Sequence, residues 1–198
     1  MVILSNTQKL RLVREYARLD DNKLVEMARA GDKPAFSALV VRHERTVAAT
    51  VIGMLGAGDD AEDVGQSVFI RFYKALNDFR GEAALSTYLT RIAINLSLNE
   101  IKRRQRRNLF FYRPISAETD FNLKDSTNWE EASDTKEIVN KALQTLEPKF
   151  RSVVVLRLMH GYSTEETAKI LKLPLGTVLS RLSRAQEKLK TVLKQIID

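Results

Sequence analysis

The sequence predicts an all-α protein: two small helical domains, an N-terminal helical bundle and a C-terminal helix-turn-helix domain, joined by an irregular linker. Three observations carry this. Glycine and proline are scarce, eight and four among 198 residues, so few turns punctuate the chain. Apolar residues recur at helical spacings, and clean alternation of period two is hard to find. Residues 108–133 lose the helical period and fill with Pro114, Ser116, Thr119, Asp120, Asp125, Ser126, Thr127 and Asn128, the composition of a tether. The chain therefore divides into an extension (1–20), a first domain (21–107), the linker (108–133) and a second domain (134–198).

Each element has its own signal. In the extension, Leu10, Val13 and Ala17 space a short helix. Leu24, Val25, Met27 and Ala28 give residues 22–30 an amphipathic turn that stops at Gly31. Asp32 just ahead of Pro34 is a helix start. Phe36, Leu39, Val40, Val47 and Val51 extend that stripe until Gly53, Gly56 and Gly58 end it. Asp59-Asp60-Ala61-Glu62 opens a third helix with a capping-box-like start, its acids matched to the helix dipole. Val64, Val68, Phe72, Ala75 and Leu76 are its buried face, and Phe79-Arg80-Gly81 breaks it. A fourth helix runs from Ser86 to Arg107 with Leu89, Ile92, Ala93 and Leu96 inward. Phe110, Phe111, Tyr112 and Trp129 are candidate anchors in the linker. Helical periodicity resumes near Asp134 and continues almost to the end.

Composition narrows the function classes. A formal net charge of +7 favours a polyanionic partner, nucleic acid or an anionic membrane surface. There is no cysteine, so disulfides, thiolate nucleophiles and cysteine-ligated zinc are excluded. No apolar run approaches the roughly 20 residues that span a bilayer, and Met1–Asn6 does not read as a secretory signal. A cytoplasmic protein without membrane insertion is expected. His43 and His160 are the only histidines. Neither sits in a metal-ligand pattern, and neither a phosphate loop nor a G-x-S-x-G elbow is present. No catalytic residue, metal or cofactor is expected. The acids Asp59, Asp60, Glu62 and Asp63 read as a helix N-terminus rather than a metal site.

The most specific local signal spans Ser163 to Leu182. Ser163 and Glu166 fit a capping box, Ala168, Ile170 and Leu171 supply a packing face, and a short turn holding Pro174 and Gly176 precedes a long second helix. That is the layout of a helix-turn-helix, whose second helix enters the major groove. Val178, Leu182, Ala185, Leu189, Val192 and Ile196 form one apolar stripe on the second helix. Thr177, Ser180, Arg181, Arg184 and Lys188 fall on the other side, a face read as three cations and no acid. Arg pairs bidentately with guanine, hydroxyls contact bases or phosphates, and Lys neutralises phosphate.

A second basic surface ends the first domain. Lys102-Arg103-Arg104-Gln105-Arg106-Arg107 has five cations in six residues. Arg91, Asn95 and Asn99 recur every four residues before it and share a face with Arg103 and roughly with Arg106 and Arg107. Amides bond base edges and arginines track phosphate. The loop Arg80–Tyr88 ahead of this helix has small residues and an aromatic, a surface for an unstacked base. A membrane-surface role for 102–107 lacks an adjacent bulky apolar face. An autonomous helix-turn-helix regulator would explain residues 163–190 but leave this helix and loop without a purpose.

In order along the chain, Ala30-Gly31-Asp32-Lys33-Pro34-Ala35-Phe36, Asp60-Ala61-Glu62-Asp63-Val64-Gly65-Gln66, Phe69-Ile70-Arg71-Phe72-Tyr73-Lys74-Ala75-Leu76 and Phe79-Arg80-Gly81 are followed by Tyr88-Leu89-Thr90-Arg91-Ile92-Ala93-Ile94-Asn95, Leu146-Glu147-Pro148-Lys149-Phe150-Arg151 and the helix-turn-helix. This ordered set, over roughly residues 22–190, resembles the extracytoplasmic-function group of bacterial sigma factors in the sigma-70 family. The resemblance implies that the Asp60–Leu76 helix, with Asp60, Asp63, Gln66, Phe69 and Arg71, docks on the clamp helices of the largest subunit of core RNA polymerase. It implies that Arg80, Tyr88, Arg91, Asn95, Asn99, Lys102, Arg103, Arg106 and Arg107 melt and read the −10 promoter element. The linker would thread toward the polymerase active site. The helix-turn-helix would read the −35 element as duplex and sit on the flap of the second-largest subunit. Promoter DNA and core polymerase are the implied partners, and the resemblance admits an anti-sigma factor as a third. The sequence departs from the pattern at Gly65, Ser67, Tyr88, Leu179 and Ser183. The last two, where a basic residue and an aromatic are common, leave the −35 sequence open.

Overall fold

The computed structural model describes residues 15–16, 18–111 and 131–197. Among them every regular element is helical, as expected. Helix α1 is Asp21–Arg29, α2 Lys33–Leu55, α3 Asp59–Lys74 and α4 Leu85–Phe111, with a 3₁₀ turn at Leu76–Asp78 before α4. Asp20 caps α1 by accepting from the Lys23 N–H at 2.7 Å. Asp32 caps α2 by accepting from the Ala35 N–H at 3.0 Å, with Pro34 in the first turn. At α3 the expected capping box is absent. Gly58 is the N-cap, no side chain caps, and Asp59, Asp60 and Glu62 lie inside the first turn, where their charge meets the dipole directly.

The first core is built from Leu24, Leu39, Val51, Val68, Phe72 and Leu89, all buried. The Phe72 ring lies among those of Phe36, Phe79 and Tyr88 at centroid distances of 5.9, 6.0 and 6.1 Å. The core reaches back to Tyr16, which is buried, and Arg42 donates to the carbonyls of Tyr16 and Leu19. The first domain thus begins inside the stretch read as an extension. Helix α4 likewise continues through Phe111, and Phe110 and Phe111 form its last turn rather than linker. The helix expected around Leu10, Val13 and Ala17 and the anchors Tyr112 and Trp129 lie outside the described residues.

The second region holds α5 (Glu131–Gln144), α6 (Pro148–Val154), α7 (Thr164–Leu171) and α8 (Leu175–Ile197). Helix α6 passes into a π-helical turn, Val155–Met159, closed by the His160 N–H donating to the Val155 carbonyl at 3.1 Å. Leu143, Leu146, Phe150, Val154 and Ala185 form a small core of their own, with Leu189 against it. The capping box is complete. Ser163 accepts from the Glu166 N–H at 3.1 Å, and Glu166 accepts from the Ser163 N–H at 2.7 Å. The turn after α7 is made by Lys172, left-handed at φ 54°. Gly176, expected in that turn, belongs to α8.

The two regions close on each other, a placement that periodicity alone leaves open. Val155, Leu156 and Ile170 are buried in the first domain's core. Gly53 lies within α2 and does not end it. A Cβ there would stand 3.0 Å from Val155 Cγ2 and 3.1 Å from Met159 Sδ, so the π turn packs directly on the α2 backbone. Polar contacts frame this junction. Gln144 Nε2 donates to the Gly53 carbonyl at 3.3 Å. Thr50 Oγ1 and His160 Nε2 are 2.8 Å apart, and the Tyr162 hydroxyl donates to Thr90 Oγ1 at 3.3 Å. The buried Arg151 donates to the carbonyls of Met54, Gln144 and Leu146 at 2.5, 2.7 and 2.8 Å, and to the side-chain oxygen of Gln144.

Candidate nucleic-acid interface

The first surface lies on α4 and the loop before it. Leu85, Leu89, Ile92, Ala93 and Ile94 are buried and fix the helix on the core. The opposite side presents Arg91, Asn95 and Asn99, all exposed, as the four-residue spacing predicts. Arg80 is exposed in the loop. Tyr88 is half-buried with its ring 5.1 Å from Phe79, and the Arg91 guanidinium lies 5.2 Å from the Tyr88 ring centroid. The tyrosine ring thus packs on the core from one side and already has a cation over it.

The five cations that follow are not equivalent. Glu100, 8% exposed, gathers three arginines. Arg103 Nε is 2.7 Å from it, Arg107 3.5 Å and Arg104 3.6 Å. Arg104 also donates to Asp60 at 2.8 Å and to the Leu55 carbonyl at 3.4 Å, tying α4 to α3 and to the end of α2. Its role is to hold helices together. The Arg103 guanidinium is pushed up by its hydrogen bond to Glu100 and by that carboxylate's charge. Lys102 and Arg106 are exposed and have no acidic partner among the described residues.

Helix α3 carries the residues expected to dock on polymerase. Asp63, Gln66 and Arg71 are exposed, and Asp60 is half-buried against Arg104. Phe69 requires a correction. At 5% exposure it is a core residue beside Val68 and Phe72, because positions i, i+1 and i+4 of one helix share the broad face turned toward the bundle. The apolar side chains that α3 shows to solvent are Ile70 and Tyr73, 48% and 55% exposed, and a strict count of the stripe would have found them. A groove of about 510 Å³ between α3 and α4 brings Asp63, Gln66 and Ile70 beside Asn99 and Arg103.

The second surface is α8. Val178 and Ala185 are fully buried, and Ser180 and Arg184 are exposed on the far side. Thr177 and Arg181 are half-buried at its margin. Lys188 is engaged within its own region, 3.2 Å from Glu147 and 5.0 Å from the Phe150 ring centroid. Glu147's carboxyl is held below the ordinary carboxylate range by hydrogen bonds from Lys149 and Lys188. The face also has an acid at its edge, contrary to the sequence reading. Glu187 is exposed and, at about 100° per residue, falls about 20° from Ser180. The open part of the face is thus the first three turns, from Gly176 to Arg184. Among the described residues no cluster of acids and histidines could hold a metal ion, and no helix is long and apolar enough to cross a membrane. His43 is buried and 2.9 Å from Asp21, a structural pair.

Comparison with known proteins agrees with this arrangement. The Sigma-70 region 2 profile matches residues 39–107 and the Sigma-70 region 4 profile matches 136–189. The chain is 35% identical to the RNA polymerase sigma-H factor of Pseudomonas aeruginosa over 89% of its own length and 95% of that protein. It is 35% identical to the ECF RNA polymerase sigma-E factor of Escherichia coli K12 over 91% of its length and 97% of that protein. The solved structure of CnrH in complex with the cytosolic domain of CnrY superposes with a TM-score of 0.62 at 27% identity, covering 88% of this chain and 97% of CnrH. With both surfaces, both profile matches and full-length relatives in agreement, the chain belongs to the extracytoplasmic-function group of the sigma-70 family, the sigma factors that direct RNA polymerase to promoters.

Proposed function

We propose that this sigma factor divides its work between the two surfaces. Helix α3 docks on the clamp helices of core polymerase through Asp63, Gln66, Arg71, Ile70 and Tyr73. The Arg80–Tyr88 loop and α4 open and read the −10 element, with Arg91, Asn95 and Asn99 toward bases and Lys102, Arg103, Arg106 and Arg107 toward phosphates. Helices α7 and α8 read the −35 element as duplex through Thr177, Ser180, Arg181 and Arg184 while seated on the flap. The protein acts by binding, without covalent chemistry of its own and without a cofactor, in the cytoplasm. CnrH was solved with the cytosolic domain of a second protein. An inhibitory protein partner, an anti-sigma factor, is part of the same proposal.

One observation carries the reading: two separate exposed helical faces, each with cations beside amides or hydroxyls, lie on the two segments that match sigma regions 2 and 4. Each face is small, so a scaffold that fixes both on one DNA supplies the effective concentration that either lacks. The test is run-off transcription and promoter binding with and without core polymerase. Specific open complexes should form only with core. Tight sequence-specific binding by the free chain, unchanged by core, would refute the division of labour.

A further inference from the structure

Two leucines on α8 are exposed where a surface helix would ordinarily be polar. Leu175 and Leu179 are 43% and 50% exposed, while Val178 between them is fully buried. They belong to neither apolar core. Spaced by four, they form one row along the helix that continues to Ser183. The neighbouring row is Gly176, Ser180 and Arg184. A Cβ on Gly176 would meet nothing within 4 Å, so these first turns face open space. Ser183 is small and exposed, which leaves Leu179 standing proud at the end of the apolar part of its row.

The N-terminal turns of a recognition helix are the part that meets base edges. In the major groove every edge is a hydrogen-bond donor or acceptor except one apolar feature, the C5-methyl of thymine. An apolar row bordered by hydroxyls and an arginine matches a groove that offers methyls beside acceptors and phosphates. We propose that Leu179, backed by Leu175, reads thymine methyl groups in the −35 duplex, while Ser180 and Arg184 take the polar edges beside them. This rests on the reading of α8 as the −35 helix and makes that reading specific. The −35 element of this sigma factor contains thymine where Leu179 lies, and the hydrogen-bond code alone does not explain its preference there.

The experiment uses reconstituted holoenzyme. Promoters are selected from a library randomised over the −35 region, and each selected thymine is then replaced singly by deoxyuridine, which lacks the methyl and keeps every hydrogen-bonding group. Wild-type holoenzyme should bind about fourfold more weakly at one or two adjacent positions, the factor expected for one buried methyl-sized group. Leu179→Ala should bind thymine and deoxyuridine templates equally at those positions. Leu179→Met, which keeps an apolar end, should retain the difference. Leu179 is exposed, so these variants should keep the fold, and their thermal unfolding checks this. Three results overturn the inference. In the first, Leu179→Ala keeps the wild-type ratio while Arg184→Ala loses specificity, and α8 reads the element without its leucines. In the second, Leu179→Ala weakens assembly with core and leaves the ratio untouched, and the leucines contact protein. In the third, selection recovers no −35 preference at all, which removes the reading of α8 along with the inference.

Discussion

Replacing Arg151 by Met should unfold the junction before it changes any DNA contact. The guanidinium is buried and donates to the main-chain carbonyls of Met54, Gln144 and Leu146. Met54 and Gln144 lie in the last turns of α2 and α5, where carbonyls have no intrahelical partner and the helix dipole favours a cation. Three orphaned carbonyls cost about 1–3 kcal/mol each. Against this stands the relief of removing a buried charge. Burial, and the charge of Arg104, push the Arg151 guanidinium down to about 10, so it is held at a desolvation cost. Taking about 2 kcal/mol for each carbonyl and setting about 3 kcal/mol of desolvation relief against the sum leaves a net loss of about 3 kcal/mol. For a chain of this length that lowers Tm by about 6–12 °C. Arg151→Lys, with three donors and no planar fork, should fall between. Urea and thermal unfolding followed by circular dichroism measure both. A loss below about 1 kcal/mol for Arg151→Met would show that the carbonyls find other donors and that the capping argument is wrong.

Three further outcomes are expected. Burial holds the His160 imidazole below its ordinary range, so the unfolded chain takes up the proton first as pH falls. Stability should be complete above the unfolded value of about 6.5 and decline below it, and His160→Gln should flatten that decline in unfolding titrations. Arg184→Ala should cost ~1–3 kcal/mol in −35 binding and relax preference at one position, whereas Arg181→Ala, at the margin of the face, should lower affinity uniformly and reduce the salt slope; competition binding across a salt series separates them. Asn95→Ala with Asn99→Ala should lower transcription from duplex promoters, and a template mismatched at −10 should recover much of the loss; equal losses on both templates would exclude a role in melting.

Local signals in the sequence were strong wherever one side chain satisfies one backbone group. Ser163 and Glu166 form their capping box, and Asp32 with Pro34 starts α2. Elsewhere the local rule was outweighed by packing. Gly53 reads as a helix stop, yet it sits inside α2 because the π turn needs its missing Cβ. Gly176 reads as the turn residue, yet Lys172 takes the left-handed conformation and Gly176 stays helical. Phe69 belongs to the docking set only by its place in a motif, and its burial follows only once three helices close around Phe72. The partners of charged residues were the least legible part. Nothing in the run Lys102–Arg107 distinguishes Arg104, bound to Asp60, from Arg106, which faces solvent, because the distinction depends on a helix 44 residues away.

The shared junction also sets the order in which this protein can be made. Thr50 meets His160 across 110 residues of chain, and Arg151 meets Met54 across 97. As the chain leaves the ribosome, the first four helices can collapse on Phe72 early, but the seat for Val155 and Leu156 stays wet until the last third of the protein has been synthesised. During that interval the nascent bundle carries an uncovered apolar seat near Gly53. The second region, chiefly through the π turn ahead of its helix-turn-helix, therefore serves as the lid that finishes the fold of the domain made before it.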